Sequence, residues 1–139
     1  DWDMNSQDLE ILKNTLSDMD LLICYASSIS IDAVIFDKPV ININFELEEN
    51  LEKPATFYYQ LSHYKKALSF GAITLANNPF ELEVAIERYL TYPSCHASER
   101  KQLAEYQCKF LDGKSGERVR SFILDMLSVI HSPFLLSML

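Results

Sequence analysis

The fold of this 139-residue chain is decided by residues 20–45, which read DLLICYASSISIDAVIFDKPVININF. The apolar run from Leu21 to Tyr25 is short and bounded by polar residues, which is typical of a strand buried on both faces of a parallel sheet. Apolar residues then recur at helical spacing until Pro39, which cannot sit in a helix interior. Because a second β-branched run begins at Val40, the stretch predicts a strand–helix–strand unit with a right-handed parallel crossover.

The turn between the first strand and the helix is the first candidate binding site. In open parallel sheets, ligands bind outside the carboxyl ends of the strands. The free N–H groups and the dipole of a helix N-terminus attract phosphate. Ser27 and Ser28 add hydroxyl groups, and Asp32 lies one turn further, so phosphate at the serines and ribose at Asp32 would form a nucleotide site. The alternative interpretation is a serine that only caps the helix and an acid that only suits its dipole.

These residues resemble the donor-binding half of GT-B glycosyltransferases, in which a Ser/Thr-rich turn, an acidic helix and a Lys-Pro-Val-Ile strand follow one another. The chain is similar in particular to CDP-glycerol glycerophosphotransferases and related bacterial surface-polysaccharide transferases. It has their motifs in the same order: Ser27-Ser28, His63-Tyr64 and Asp112-Gly113-Lys114-Ser115-Gly116-Glu117-Arg118. It departs from the GT-B pattern at two positions, since Asp32 stands where many members carry Glu and Asp37 stands where Gly is usual.

The resemblance implies that the chain binds a nucleotide-activated donor. The donor-binding residues that it implies are Ser27, Ser28, Ile29, Asp32, His63, Asn77, Asn78, Asp112, Gly113 and Arg118. The general base of these enzymes is expected in an acceptor lobe, so no catalytic residue is predicted within this chain. The nucleotide-linked donor is a substrate, and neither a cofactor nor a metal ion is predicted.

The remaining pattern predicts an α/β fold, a Rossmann-like parallel sheet with flanking helices, and the resemblance implies that this sheet forms part of a GT-B C-terminal lobe. At least three parallel strands are expected, near residues 21–25, 40–44 and 72–75. Helices are expected near residues 8–17, after the start signal Asn78-Pro79-Phe80-Glu81, near 97–110 and along the apolar stripe of 119–130.

Length and composition bound the class of protein. With 139 residues, of which 48% are hydrophobic, the chain is interpreted as a single α/β domain over residues 1–139. Because the GT-B fold needs two Rossmann-like lobes, this domain is expected to be a C-terminal fragment of a larger two-lobe protein. A net charge of −8 argues against nucleic-acid binding. Three cysteines without a C-x-x-C spacing favour the cytoplasm, with at most peripheral association at the inner face of the membrane.

Two segments keep open interpretations. The aromatic segment of residues 54–64 would stack a ring on the nucleotide base or would only pack against the fold, and His63 would contact the donor phosphates or lie on the surface. The run from Glu46 to Glu52 holds four acids, which indicates a solvated loop rather than a cation site.

Three functions stay open at this stage. The first is the donor-binding lobe of a GT-B transferase that moves a sugar or glycerol-phosphate to a surface-polysaccharide acceptor. The second is a sugar-nucleotide 2-epimerase-like enzyme, and the third is a non-catalytic Rossmann-like binding module. The isolated lobe is expected to be inactive, and the stripe of residues 119–130 is expected to contact the missing N-terminal lobe or a second copy of the chain in a homo-oligomer.

Overall fold

The computed structural model describes residues 3–46 and 54–130. Two compact units divide the chain, residues 1–107 and residues 108–139. In chain order the elements are α1 (Ser6–Asp18), β1 (Leu22–Cys24), α2 (Ile29–Ile35), β2 (Val40–Ile43), α3 (Ala55–Tyr59), α4 (Ser62–Leu68), β3 (Ile73–Ala76), α5 (Pro79–Thr91), α6 (Ala97–Cys108) and α7 (Ser115–Ile130). The interpretation of residues 1–139 as one domain of a two-lobe protein stays a prediction.

The three strands form one parallel sheet in the order β1-β2-β3. Val40 of the central strand pairs with Leu22 on one side and with Ile73 on the other. The prediction of an α/β fold with parallel strands is therefore confirmed, and each strand lies within one residue of its predicted position.

The core of the first unit has two parts, because neighbouring side chains of a strand point to opposite faces of the sheet. Val40 belongs to a cluster with residues of α1, α2, α4, β3 and α6, whereas Ile41 packs with residues of β3 and α5. Val40 and Ile41 are both fully buried. Ile23 of β1 is 40% exposed, so the prediction of a strand buried on both faces is wrong for β1. That description fits β2, the central strand of the three.

The end of α2 explains why the chain carries Asp at a position where Gly is usual in the GT-B pattern. Asp37 adopts a left-handed conformation, with φ of 55°. Its N–H donates to the carbonyl of Val34 at 3.0 Å, and the N–H of Lys38 donates to that of Ala33 at 2.9 Å. A left-handed residue after a helix is usually Gly, and Asp is among the few other residues that tolerate this conformation.

Asp37 also forms an ion pair with Arg100 of α6. The Nε of Arg100 donates to Oδ1 of Asp37 at 2.8 Å, and its two terminal nitrogens donate to the carbonyls of Cys95 at 2.6 Å and Pro93 at 3.1 Å. Arg100 is 1% exposed, whereas the side chain of Asp37 is 69% exposed. A buried guanidinium therefore joins the turn after α2 to the connection between α5 and α6.

The second unit contains the predicted C-terminal amphipathic helix, α7. Its apolar side chains are exposed, among them Val119, Phe122 and Met126. Their contact with another lobe or a second copy stays a prediction. Among the residues that the structure describes, no helix combines the length and the apolar character needed to cross a membrane.

Candidate functional site

A cavity of about 240 Å³ lies beside the turn that follows β1. Its other walls come from α2, from α3 and α4 with the residues between them, and from the end of α6. The lining residues are Ala26, Ser27, Ser28, Ile31, Tyr58, Leu61, His63, Tyr64, Ala67 and Gln107. The fold thus brings the serine pair and the His-Tyr pair, two motifs that are distant in sequence, to one cavity.

The side chain that caps the N-terminus of α2 is that of Ser27 and not that of Ser28. The N–H of Ile29 donates to Oγ of Ser27 at 3.4 Å, whereas the side chain of Ser28 makes no capping bond and is exposed. The N–H of Ser27 donates to the hydroxyl of Tyr64 at 3.0 Å. Several free N–H groups were expected at this turn, but of these three amides only that of Ser28 lacks a hydrogen-bond partner among the described residues. The seven residues of α2 also make only a short helix.

A buried polar network lies beneath the turn. Asn42 of β2 and Ser30 of α2 are both fully buried. The side-chain N–H groups of Asn42 donate to the backbone carbonyls of Cys24 at 3.2 Å and Tyr25 at 3.1 Å. Its side-chain oxygen accepts from Ser30 at 3.5 Å and from Tyr64 at 3.3 Å. The sequence analysis missed Asn42 and Ser30, although an Asn inside a β-branched run is a signal, because buried polar groups require partners.

Two tyrosine hydroxyls, one on α3 and one on α4, form hydrogen bonds to the backbone near the ends of β2 and β1. The hydroxyl of Tyr59 donates to the carbonyl of Ile43 at 2.8 Å, at the end of β2. Its ring meets that of Tyr64 edge to face, with 5.3 Å between the centroids. Burial, and secondarily the neighbouring Tyr64, raises the pKa of the Tyr59 phenol well above its ordinary value. Tyr59 therefore stays a neutral donor at any physiological pH.

The other residues predicted near the turn differ in how they meet the cavity. His63 is exposed and lines the cavity, and its imidazole makes no hydrogen bond within the described residues. Its ring centroid lies 6.2 Å from that of Tyr64. Ile29 packs against the core. Asp32 is half-buried and is not among the lining residues. Its contact with a ribose stays a prediction.

The end of β3 carries a separate polar cluster built around Glu81. The backbone and side-chain N–H groups of Asn77 donate to Glu81 at 2.9 and 2.8 Å, and the side chain of Asn78 donates to it at 2.9 Å. In return the N–H of Glu81 donates to Oδ1 of Asn78 at 2.9 Å, which is the predicted N-cap of α5. Asn77 and Asn78 therefore have a structural role here, and neither lines the cavity.

Acid is expected to loosen this cap. The hydrogen bonds from Asn77, and then that from Asn78, lower the pKa of Glu81. A carboxyl whose pKa is lowered in the folded state stabilises it above the ordinary glutamate pKa of about 4.3, and this contribution is lost as the pH falls through the folded-state value. Amide exchange at Asn77 and Glu81, corrected for intrinsic rates, should become faster below about pH 4. A Glu81→Gln variant should show no such step, and an identical step in that variant would contradict the assignment.

The third motif forms its own cluster in the second unit. Arg118 donates to both carboxylate oxygens of Asp112, at 2.8 and 2.6 Å, and its guanidinium lies 4.0 Å from the centroid of the Phe110 ring. The N–H of Lys114 donates to the same carboxylate at 3.1 Å, and the turn passes through Gly113, whose φ of 71° favours glycine. The hydrogen bonds from Arg118 and then Lys114 hold the pKa of Asp112 far below its ordinary value. The donor-binding roles of Asp112, Gly113 and Arg118 stay predictions.

Whether the described part of the chain could hold a metal ion depends on how its His, Cys, Asp and Glu side chains are grouped. Within residues 3–46 and 54–130, no three His, Cys, Asp or Glu side chains are grouped so that they could hold a metal ion. Of the acidic run between residues 46 and 52, only Glu46 belongs to these ranges.

The chain matches the model of a known protein family. A family model described as CDP-Glycerol:Poly(glycerophosphate) glycerophosphotransferase matches residues 4–125. No curated protein and no solved structure matches the chain. The matched residues include the serine turn, the His-Tyr pair and the motif that ends at Arg118.

Proposed function

Because the chain belongs to the CDP-glycerol:poly(glycerophosphate) glycerophosphotransferase family, we propose that its cavity holds the phosphate end of a nucleotide-activated glycerol donor. The observation that carries the proposal is the meeting of Ser27 and Ser28 with His63 at one cavity. Ser28 contributes an exposed hydroxyl and an N–H group, and His63 contributes an exposed imidazole. These are groups that bind phosphate oxygens.

The reaction in the family's description moves glycerophosphate from CDP-glycerol to poly(glycerophosphate). A hydroxyl oxygen of the acceptor forms a bond to the phosphorus that carries glycerol, and its proton passes to a base. The bond from that phosphorus to the bridging oxygen of the diphosphate breaks, and this oxygen leaves as part of CMP. Hydrogen-bond donors aimed at the leaving phosphate lower the barrier, because negative charge develops there. We assign this task to Ser28 and His63, and no residue of this chain is assigned as the base.

The apolar part of the cavity suits the rest of the donor. Tyr58 of α3 and Leu61, which precedes α4, line it, and both are partly exposed. An aromatic ring that is partly exposed at a phosphate site can stack on a nucleotide base. We therefore place the cytosine near Tyr58. We place the acceptor polymer and the catalytic general base on another lobe of the protein, and the protein itself on the cytoplasmic side. The contact of α7 with that lobe or a second copy is part of the same proposal.

Replacing Ser28 by Ala tests the proposed site. In the full-length enzyme, the affinity for CDP-glycerol measured by isothermal titration should fall about fivefold, because one hydrogen bond to a phosphate is worth about 1 kcal/mol. The thermal midpoint should not change, since Ser28 does not cap α2. Ser62→Ala is the matched control, because Ser62 is also an exposed serine but does not line the cavity.

The proposal predicts a second result, which the same binding assay measures. A His63→Ala variant should also bind CDP-glycerol more weakly and should transfer glycerophosphate more slowly. If Ser28→Ala and His63→Ala both bind and turn over as the unchanged enzyme does, the cavity is not the donor site. No observation favours the 2-epimerase or the non-catalytic alternative over the transferase.

A further inference from the structure

We propose that Tyr64 is a positioning residue that holds the serine turn in the conformation that receives the donor. The inference rests on the proposed function of the cavity and assigns Tyr64 a role that acts through Ser27 and Ser28. The hydroxyl of Tyr64 lies within hydrogen-bond distance of the N–H of Ser27 at 3.0 Å and of the side-chain oxygen of Asn42 at 3.3 Å. It therefore joins the exposed turn to a side chain that is fully buried.

The direction of these hydrogen bonds follows from which groups can donate a proton and which can accept one. A tyrosine hydroxyl has one proton and accepts through its oxygen lone pairs. The N–H of Ser27 can only donate, so the hydroxyl oxygen accepts from it. Because both carbonyls near the amide nitrogen of Asn42 accept from it, the side-chain oxygen of Asn42 faces Tyr64 and can accept its proton. The hydroxyl is thus held between the N–H of Ser27 and three groups that can accept its proton: the side-chain oxygen of Asn42 at 3.3 Å, and the hydroxyl of Ser30 and the carbonyl of Ser27, both at 3.4 Å.

Fixing Ser27 determines which group of the turn is left for a ligand. Tyr64 accepts from the N–H of Ser27, and Oγ of Ser27 accepts from that of Ile29. The N–H of Ser28 lies between these two occupied amides and has no partner in the described ranges. Loss of the Tyr64 hydroxyl would leave the N–H of Ser27 without its acceptor, and the turn that presents Ser28 would lose its attachment to α4.

Tyr59 provides a control with the same chemistry. Its hydroxyl also donates to a polar group at a strand end, the carbonyl of Ile43, at 2.8 Å. It is 3% exposed, does not line the cavity and makes no hydrogen bond to Ser27 or Ser28, although its hydroxyl interacts with the backbone of Ala26. Tyr59→Phe and Tyr64→Phe therefore remove the same atom from neighbouring rings, and only the second removes the acceptor of the Ser27 N–H.

The experiment compares these two variants in the full-length enzyme, with CDP-glycerol as the probe. Tyr64→Phe is expected to weaken CDP-glycerol binding about tenfold in isothermal titration, and Tyr59→Phe to change it less than about twofold. Both variants should lower the thermal midpoint, since each loses a hydrogen bond inside the fold. Amide exchange measured without ligand should be faster at Ser27 in Tyr64→Phe and unchanged there in Tyr59→Phe.

The outcomes separate the inference from the proposed function. If Tyr64→Phe binds CDP-glycerol as the unchanged enzyme does, or if both variants weaken binding equally, Tyr64 is not the positioning residue, and the proposed donor site is decided separately by Ser28→Ala and His63→Ala. If the unchanged enzyme does not bind CDP-glycerol, the proposed function is wrong. In that case, too, unchanged exchange at Ser27 in Tyr64→Phe overturns the inference, because it shows that the hydroxyl does not hold the turn.

Discussion

Replacing Arg100 by Met should lower the free energy of unfolding by about 3 kcal/mol, because two backbone carbonyls and a carboxylate lose their donors. Met keeps much of the volume of the arginine stem, so the loss reports the polar contacts rather than an empty cavity. The carbonyls of Cys95 and Pro93 are the groups affected inside the fold, since Arg100 is buried between them. Urea unfolding followed by circular dichroism measures the change.

The other half of this ion pair supplies the control. Asp37→Asn keeps an oxygen that accepts from Arg100 and keeps a residue that tolerates the left-handed conformation. Because the side chain of Asp37 is 69% exposed, the loss of its charge should cost less than about 1 kcal/mol. A loss of similar size in both variants would show that the charge pair, and not the buried hydrogen bonds to the chain, stabilises this connection.

Replacing Asn42 by Val should have an effect of similar size, about 3 kcal/mol of unfolding free energy. The aliphatic side chain removes the donors that the carbonyls of Cys24 and Tyr25 now have, and it leaves Ser30 without its buried amide partner. The β-branched Val suits a strand, so the backbone conformation itself should not oppose the change. Urea unfolding again gives the measurement.

Asn44→Val is the matched control for Asn42. Asn44 lies two residues further along the chain, is only partly buried and donates its side chain to Asn77 at 2.7 Å. Its replacement should cost about 1 kcal/mol or less. Equal losses at the two positions would contradict the importance of the buried network for stability.

The strands and the turn could be predicted because their signals are local. Short apolar runs, a helix-stopping Pro39 and the Asn78-Pro79 start are each contained in a few neighbouring residues. The sheet order then follows from two short crossovers. Exposure of Ile23 could not be predicted, because it depends on how far other elements cover that face of the sheet at β1 and not on the composition of β1 itself.

The hydrogen bonds and the ion pair that hold the site and the fold around it were harder to predict, because they join residues that are far apart in the sequence. Ser30 and Tyr64 are 34 positions apart, and Arg100 and Asp37 are 63 apart. Arg100 lies in a helix with a largely polar sequence, so its burial has no local signal. The choice of Ser27 over Ser28 as the cap depends on backbone angles that two adjacent serines do not reveal.

The connections between the strands also set an expected order of folding. The segment between β1 and β2 is about half as long as that between β2 and β3, and each doubling of a flexible loop adds about 0.6 kcal/mol to the entropic cost of closing it. The β1–α2–β2 unit should therefore form first, and β3 should join a preformed edge. In kinetic terms, mutations at Val34 should slow refolding, whereas mutations at Ala76 should mainly speed unfolding.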